Sequence, residues 1–169
     1  MTIRDQILSS PETLSDLAWA AERRFREAGA LMTAGHFMGS VYLAGLACEM
    51  WLKLAAVRCY DPRVTTASYI TGYYPTIRAW MTRNFPAIAW ESYHSLSFWS
   101  GYIISFRAMT GAPLPATVAG ELRHHVVTRV FEDWKIDIRY RSFSIPEQHA
   151  VRVYNDVSWV RQNWDRLWR

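Results

Sequence analysis

Glu49 and Lys53 stand four residues apart inside a run that is otherwise small or apolar, Gly39-Ser-Val-Tyr-Leu-Ala-Gly-Leu-Ala-Cys-Glu-Met-Trp-Leu-Lys-Leu-Ala-Ala-Val57. An acid four residues before a base is the orientation that best supports a helix, and a buried charge needs a partner or a task. Two Glu-x-x-His pairs follow, Glu91–His94 and Glu121–His124. On helices, such pairs face inward in di-iron bundles, each joined by a further Glu from another helix. Glu49 can be one of those, but residues 95–120 hold no Asp or Glu. Glu22, Glu27 or Glu147 would have to complete the set out of order, so Glu91, His94, Glu121 and His124 are the weaker candidates, for a metal. Tyr69, Tyr73 and Tyr74 lie in a stretch broken by Gly and Pro, where exposed rings could stack on bases or seal a dimer. Trp19, Trp51, Trp80, Trp90, Trp99, Trp159 and Trp164 fall on predicted helices, where large rings usually supply burial. There is no Gly-x-Ser-x-Gly, no Gly-rich strand-to-helix turn and little strand signal, so no cofactor is expected.

Composition bounds the rest. At 169 residues the chain suits one domain over 1–169 with one core. The net charge of +4 comes from seventeen Arg and two Lys against fifteen acids. Arg offers a planar fork for phosphate and stacks on aromatic rings, which suits an RNA surface; a codon bias toward Arg explains the count equally well. The apolar run 41–57 falls short of the ~20 residues a spanning helix needs. The polar N-terminus lacks the apolar stretch of a secretory signal. No membrane partner and a cytoplasmic location are therefore expected. Cys48 and Cys59, roughly 16 Å apart on one helix, are expected to be reduced core thiols.

The apolar spacing predicts an up-down bundle of five to six helices. Ser10-Pro11-Glu12 reads as the start of the first, whose Leu14, Leu17, Ala18, Ala21, Phe25, Ala28 and Leu31 form one face to about residue 33. Gly35 suits its stop, and the second helix runs over 37–58, its small residues admitting neighbouring helix backbones. A long ordered loop is expected over 60–75, then helices over 76–84, 87–109 and 117–131. Ser144-Ile-Pro-Glu147 reads as a capping box for the last helix, with Ala150, Val153, Val157, Val160, Trp164 and Leu167 as its stripe.

The first-helix pattern followed by the Glu49-x-x-Leu-Lys53 run, together with Asp133-Trp-Lys-Ile-Asp-Ile-Arg-Tyr-Arg141 ahead of a long last helix, resembles the HEPN superfamily. The resemblance covers roughly 15–58 and 130–168. It implies an α-helical bundle that dimerises, and either a metal-independent endoribonuclease or the toxin half of a bacterial toxin–antitoxin or defence pair with a nucleotidyltransferase-like protein partner. The family's ribonucleases carry Arg-x(4–6)-His, with His as acid or base and Arg stabilising the phosphorane. No His here has an Arg at that spacing; the nearest pair, Arg141 and His149, has seven residues between. The expectation is therefore a non-catalytic module binding RNA or a protein through Glu49, Lys53, Arg139, Tyr140 and Arg141, with Arg139 able to pair with Glu49. A ribonuclease using Arg141 and His149 is the first alternative. A di-metal protein using Glu91, His94, Glu121 and His124 is the second.

Overall fold

The first helix, α1 (Leu14–Thr33), begins at a closed capping box. The Thr13 hydroxyl accepts from the Asp16 amide at 3.1 Å, and the Asp16 carboxylate accepts from the Thr13 amide at 3.0 Å. Thr13 is extended and bridges Tyr69, which places the start three residues later than the Ser-Pro signal suggests. The computed structural model describes residues 12–88, 92–140 and 144–169, and within them the chain is an all-α bundle. Ser10, Pro11, Trp90, Glu91 and Arg141, with the side chains of Arg139 and Tyr140, lie outside the described residues.

α1 stops in a Schellman turn. Gly35, at φ 76°, donates to the Met32 carbonyl, and His36 donates to that of Leu31. That left-handed backbone is what glycine supplies at least cost. The chain then enters α2 (Phe37–Tyr60), which packs on α1 and on the helices over 73–84, 96–109 and 147–163. By length and composition α2 could cross a membrane, contrary to the shorter run read from sequence, but 72 % of its most apolar window is buried in the bundle. Core burial accounts for its apolarity.

The loop after α2 does a specific job. The first amides of a helix have no partner inside it. Leu14 and Ser15 donate theirs to the carbonyls of Ser68 and Thr66 at 3.0 and 2.9 Å, while Ile70 donates back to Glu12. α3 (Tyr73–Asn84) then starts three residues earlier than expected, because Pro75 falls in its first turn, where a missing N–H costs little. Tyr73 and Tyr74 therefore belong to a helix; only Tyr69 stays in the loop, 61 % exposed.

The expected helix over 87–109 is shorter: α4 (Leu96–Met109) starts behind Ser95, whose hydroxyl accepts from the Phe98 amide at 3.1 Å. His94 thus sits in a turn. α5 (Ala116–Leu122) continues as eight residues of π-helix, Arg123–Val130, and a last α turn, Phe131–Asp133. A short 3-10 helix, Ile136–Tyr140, leads towards α6 (Glu147–Asn163). Pro146, not Ser144, occupies the N-cap of α6, with no side-chain cap, since the chain stays extended until that ring. Ala150, Val153, Val157 and Val160 are fully buried, as the stripe predicts, and Leu167 closes the core from a final 3-10 turn, Trp164–Leu167.

Two aromatic positions depart from expectation. Trp19 is 69 % exposed on the outer side of α1, whereas Trp51 and Trp99 are buried. Trp134 fills the space beside Gly45: a Cβ on Gly45 would lie 2.2 Å from the indole. The small residues of α2 admit a ring there, not a helix backbone. Gly120 differs, with nothing within 4 Å of its Cβ position. Gly120→Ala should therefore stabilise the protein by about 0.5–1 kcal/mol in urea unfolding, through lost chain entropy in the unfolded state.

Candidate functional site

Glu49 is the one acid on α2, and its carboxylate is buried. Lys53, one turn on, places Nζ 2.5 Å from Oε1. That ammonium is caged as well as paired, lying 5.2 Å from the Tyr74 ring centroid and 5.6 Å from that of Trp99. On the far side of the carboxylate, His94 Nδ1 is 3.1 Å from both oxygens. The turn ahead of α4 provides His94, held by the Trp99 indole donating to the Tyr93 carbonyl at 2.8 Å and by the His94 amide donating to Ser92 Oγ at 3.1 Å. The side chain of Arg139, the partner expected from sequence, lies outside the described residues.

An ionised carboxylate only accepts, so the Glu49 contact fixes the proton of a neutral His94 on Nδ1. Nε2 then carries the lone pair, and among the described residues it has no protein partner. Further titratable groups converge here from neighbouring elements. Burial pushes the Glu12 carboxyl above its ordinary value, against the pull of Lys53. The Tyr74 hydroxyl is buried without a hydrogen-bond partner, and burial followed by the charges of Glu12 and Glu49 drives its pKa well up. Groups perturbed by burial and specific charges beside an opening mark a candidate site.

His94 lines a cavity of about 350 Å³. Ser92 and Ser95 flank it on the α4 side; Phe131, Trp134, Lys135 and Asp137 form the opposite wall. The Trp134 indole donates to the Tyr42 carbonyl at 3.1 Å, fixing that wall to α2. No protein-family model, curated protein or solved structure matches the chain. The site's chemistry is thus read from its own residues.

The remaining sequence candidates are scattered. His149 Nδ1 lies 3.4 Å from Asp133 and 3.3 Å from Arg152, which itself pairs with Asp133. Its Nδ1 is engaged by this part-buried ion pair, and Arg141, the expected partner of His149, lies outside the described residues. Glu121 and His124 are exposed on the outer side of the α5 and π segment, while His94 faces Glu49. Of the first Glu-x-x-His pair, His94 stands in the turn ahead of α4, which starts only at Leu96, and Glu91 lies outside the described residues. Among the described residues no three His, Cys, Asp or Glu side chains are grouped to hold a metal. Cys48 and Cys59 are free buried thiols, and burial pushes Cys59 up to about 12.

Sequence reasoning missed a second buried carboxylate. Asp156 of α6 meets His125 Nδ1 at 2.8 Å, and Arg129 Nε lies 3.0 Å from its other oxygen. That contact is an ion pair whose N–H is poorly aligned for a hydrogen bond, leaving Oδ2 without one. Trp159 stacks on the His125 ring at 4.9 Å. The available signal was Asp156 standing between Val153 and Val157 on the core stripe.

Proposed function

We propose that the chain is an HEPN-like helical module that binds RNA, as a homodimer, in the cleft beside His94. The observation that carries this reading is a half-exposed histidine whose Nδ1 is fixed by a buried glutamate, on the lip of a cavity that also presents Lys135. A phosphate oxygen can accept from Nε2 of the doubly protonated His94 ring and from the Lys135 ammonium, the contacts that position RNA backbones. Glu49 and Lys53 act beneath the surface, the glutamate aiming the ring and the lysine balancing its charge.

Anisotropy of labelled structured RNAs in EDTA tests the reading. His94→Ala and Lys135→Ala should each weaken binding about three- to tenfold, with a shallower salt slope for Lys135→Ala, while His149→Ala binds as the native chain does. Absence of binding at low salt, or equal loss in the His149 variant, would overturn it.

A second reading, RNA cleavage without metal, is favoured by the same geometry. A carboxylate-oriented imidazole with a free Nε2 is suited to proton transfer at a ribose hydroxyl. On this reading His94, not His149, is the acid or base, and cleavage in EDTA survives His149→Ala but not His94→Ala.

A further inference from the structure

The end of the bundle where α2, α4 and the last 3-10 turn meet carries a second opening, of about 350 Å³. Its walls include Cys59, Tyr60, Phe106, Arg107, Trp168 and Arg169, and among the described residues no Asp or Glu side chain lines it. Ten residues along α2 from Glu49, about 15 Å of helix, separate Cys59 from the first site.

Two guanidinium groups, those of Arg107 and Arg169, line it, and a third, Arg58, packs on the Trp168 ring of its wall. Arg107 is held rigid, donating Nε to the Ala112 carbonyl at 2.7 Å and Nη1 to that of Leu167 at 3.3 Å. Its Nη2 has no protein acceptor among the described residues. Arg58 lies 4.7 Å and Arg169 5.4 Å from the Trp168 ring. Among the described residues the acid paired with any of the three is Asp165, 3.5 Å from Arg169. Arg58 and Arg107 occupy the last turns of α2 and α4, where a cation answers the partial negative charge of the helix end. That role does not satisfy their donors. Arg58 Nε and the Trp168 indole N–H are both buried with no acceptor, the condition that native interiors rarely leave uncompensated. Tyr60 and Phe106, 6.0 Å apart, add aromatic surface to the walls. The Cys59 thiol stays protonated and donates to the Leu167 carbonyl at 3.4 Å, so it is wall, not nucleophile.

We infer that this opening binds a nucleoside monophosphate, either free or as the phosphorylated end of an RNA. A fixed guanidinium with a spare donor, Arg107, and the positive charge of Arg58 and Arg169 beside it call for a phosphate. Aromatic walls call for a planar group beside it, since a base stacks on rings whatever its identity. The volume lies near the lower bound of the usual range for ligand pockets, about 300–1,000 Å³, which suits one nucleotide.

Isothermal titration of the full chain with AMP, adenosine and inorganic phosphate tests this. AMP should saturate one site, with adenosine and phosphate each about tenfold weaker or more. Arg58→Met and Arg169→Gln should each weaken AMP about tenfold, and His94→Ala should leave it unchanged. The Arg169 side chain is 68 % exposed, so its variant keeps the test sound if Arg58→Met fails to fold. A 5′-phosphorylated trinucleotide binding at least as well as AMP, with its 5′-hydroxyl form weak, identifies an RNA end; AMP binding alone identifies the free nucleotide. No saturation by AMP or the trinucleotide at millimolar concentration, affinity indifferent to the arginine variants, or loss on His94→Ala would overturn the inference.

Discussion

Gly45→Ala is expected to destabilise the protein by about 2–4 kcal/mol, read as a lower urea midpoint with an unchanged slope. The added methyl would meet Cδ1 and Nε1 of Trp134 at 2.2 Å, closer than real Cβ atoms come to anything. Trp134 is 1 % exposed, so the ring has no empty space to yield into. Moving it breaks its hydrogen bond to Tyr42 and leaves both groups buried and unpaired. Overpacking costs about 1–3 kcal/mol and a stranded donor about 1–3 more, while alanine returns about 1 through helix propensity. The signs separate cleanly from Gly120→Ala, the same change on another helix, which should stabilise. In a cycle with Trp134→Ala the clash disappears, so the double variant should cost no more than Trp134→Ala alone. A Gly45→Ala protein as stable as the native one would show that the ring does not sit where the packing places it.

The reach of the sequence ends where one residue pattern serves two geometries. α2 was legible because a long apolar run with one Glu and one Lys four apart leaves little besides a buried helix, and Gly35 and the α6 stripe were equally direct. Gly45 was legible only as small. A small residue on a buried helix looks the same whether it admits a backbone or an indole, and the ring it admits is 89 residues away. The π segment was hidden for a related reason: Leu122, Val126 and Val130 recur at four, a spacing that fits an α-helix and a wider π turn alike. Trp19 could have been placed outside, since it falls off the stripe of Leu14, Leu17, Ala21 and Phe25.

The candidate site was half legible. Spacing identified Glu49 and Lys53 as a pair within one helix. Their third member, His94, was visible as a histidine but was assigned to a helix that does not extend so far. Residues 87–95 are apolar and aromatic enough to continue the α4 pattern, and the Ser95 cap that ends this reading is a single hydroxyl. The partner of a buried charge is a tertiary fact. Helical spacing carries no information about which turn, 45 residues on, will deliver it.

Glu49→Ala should be among the most damaging single substitutions, costing about 3–5 kcal/mol. The loss comes chiefly from what remains. Lys53 would be left at 13 % side-chain exposure, with two ring faces nearby and without its paired carboxylate. Lys53→Met should cost less, because His94 can still take a proton and face the glutamate. Replacing both, Glu49→Leu with Lys53→Met, removes the desolvation problem along with the attraction. That double variant should return to within about 1–2 kcal/mol of the native protein, a coupling of several kcal/mol in the thermodynamic cycle. Additive losses would mean that the two charges are not each other's compensation. The double variant also divides stability from function. His94 loses the acceptor that aims its ring, so a folded Glu49→Leu, Lys53→Met protein should still bind RNA more weakly than the native chain. If it binds equally well, the buried pair holds the fold together and His94 needs no aiming.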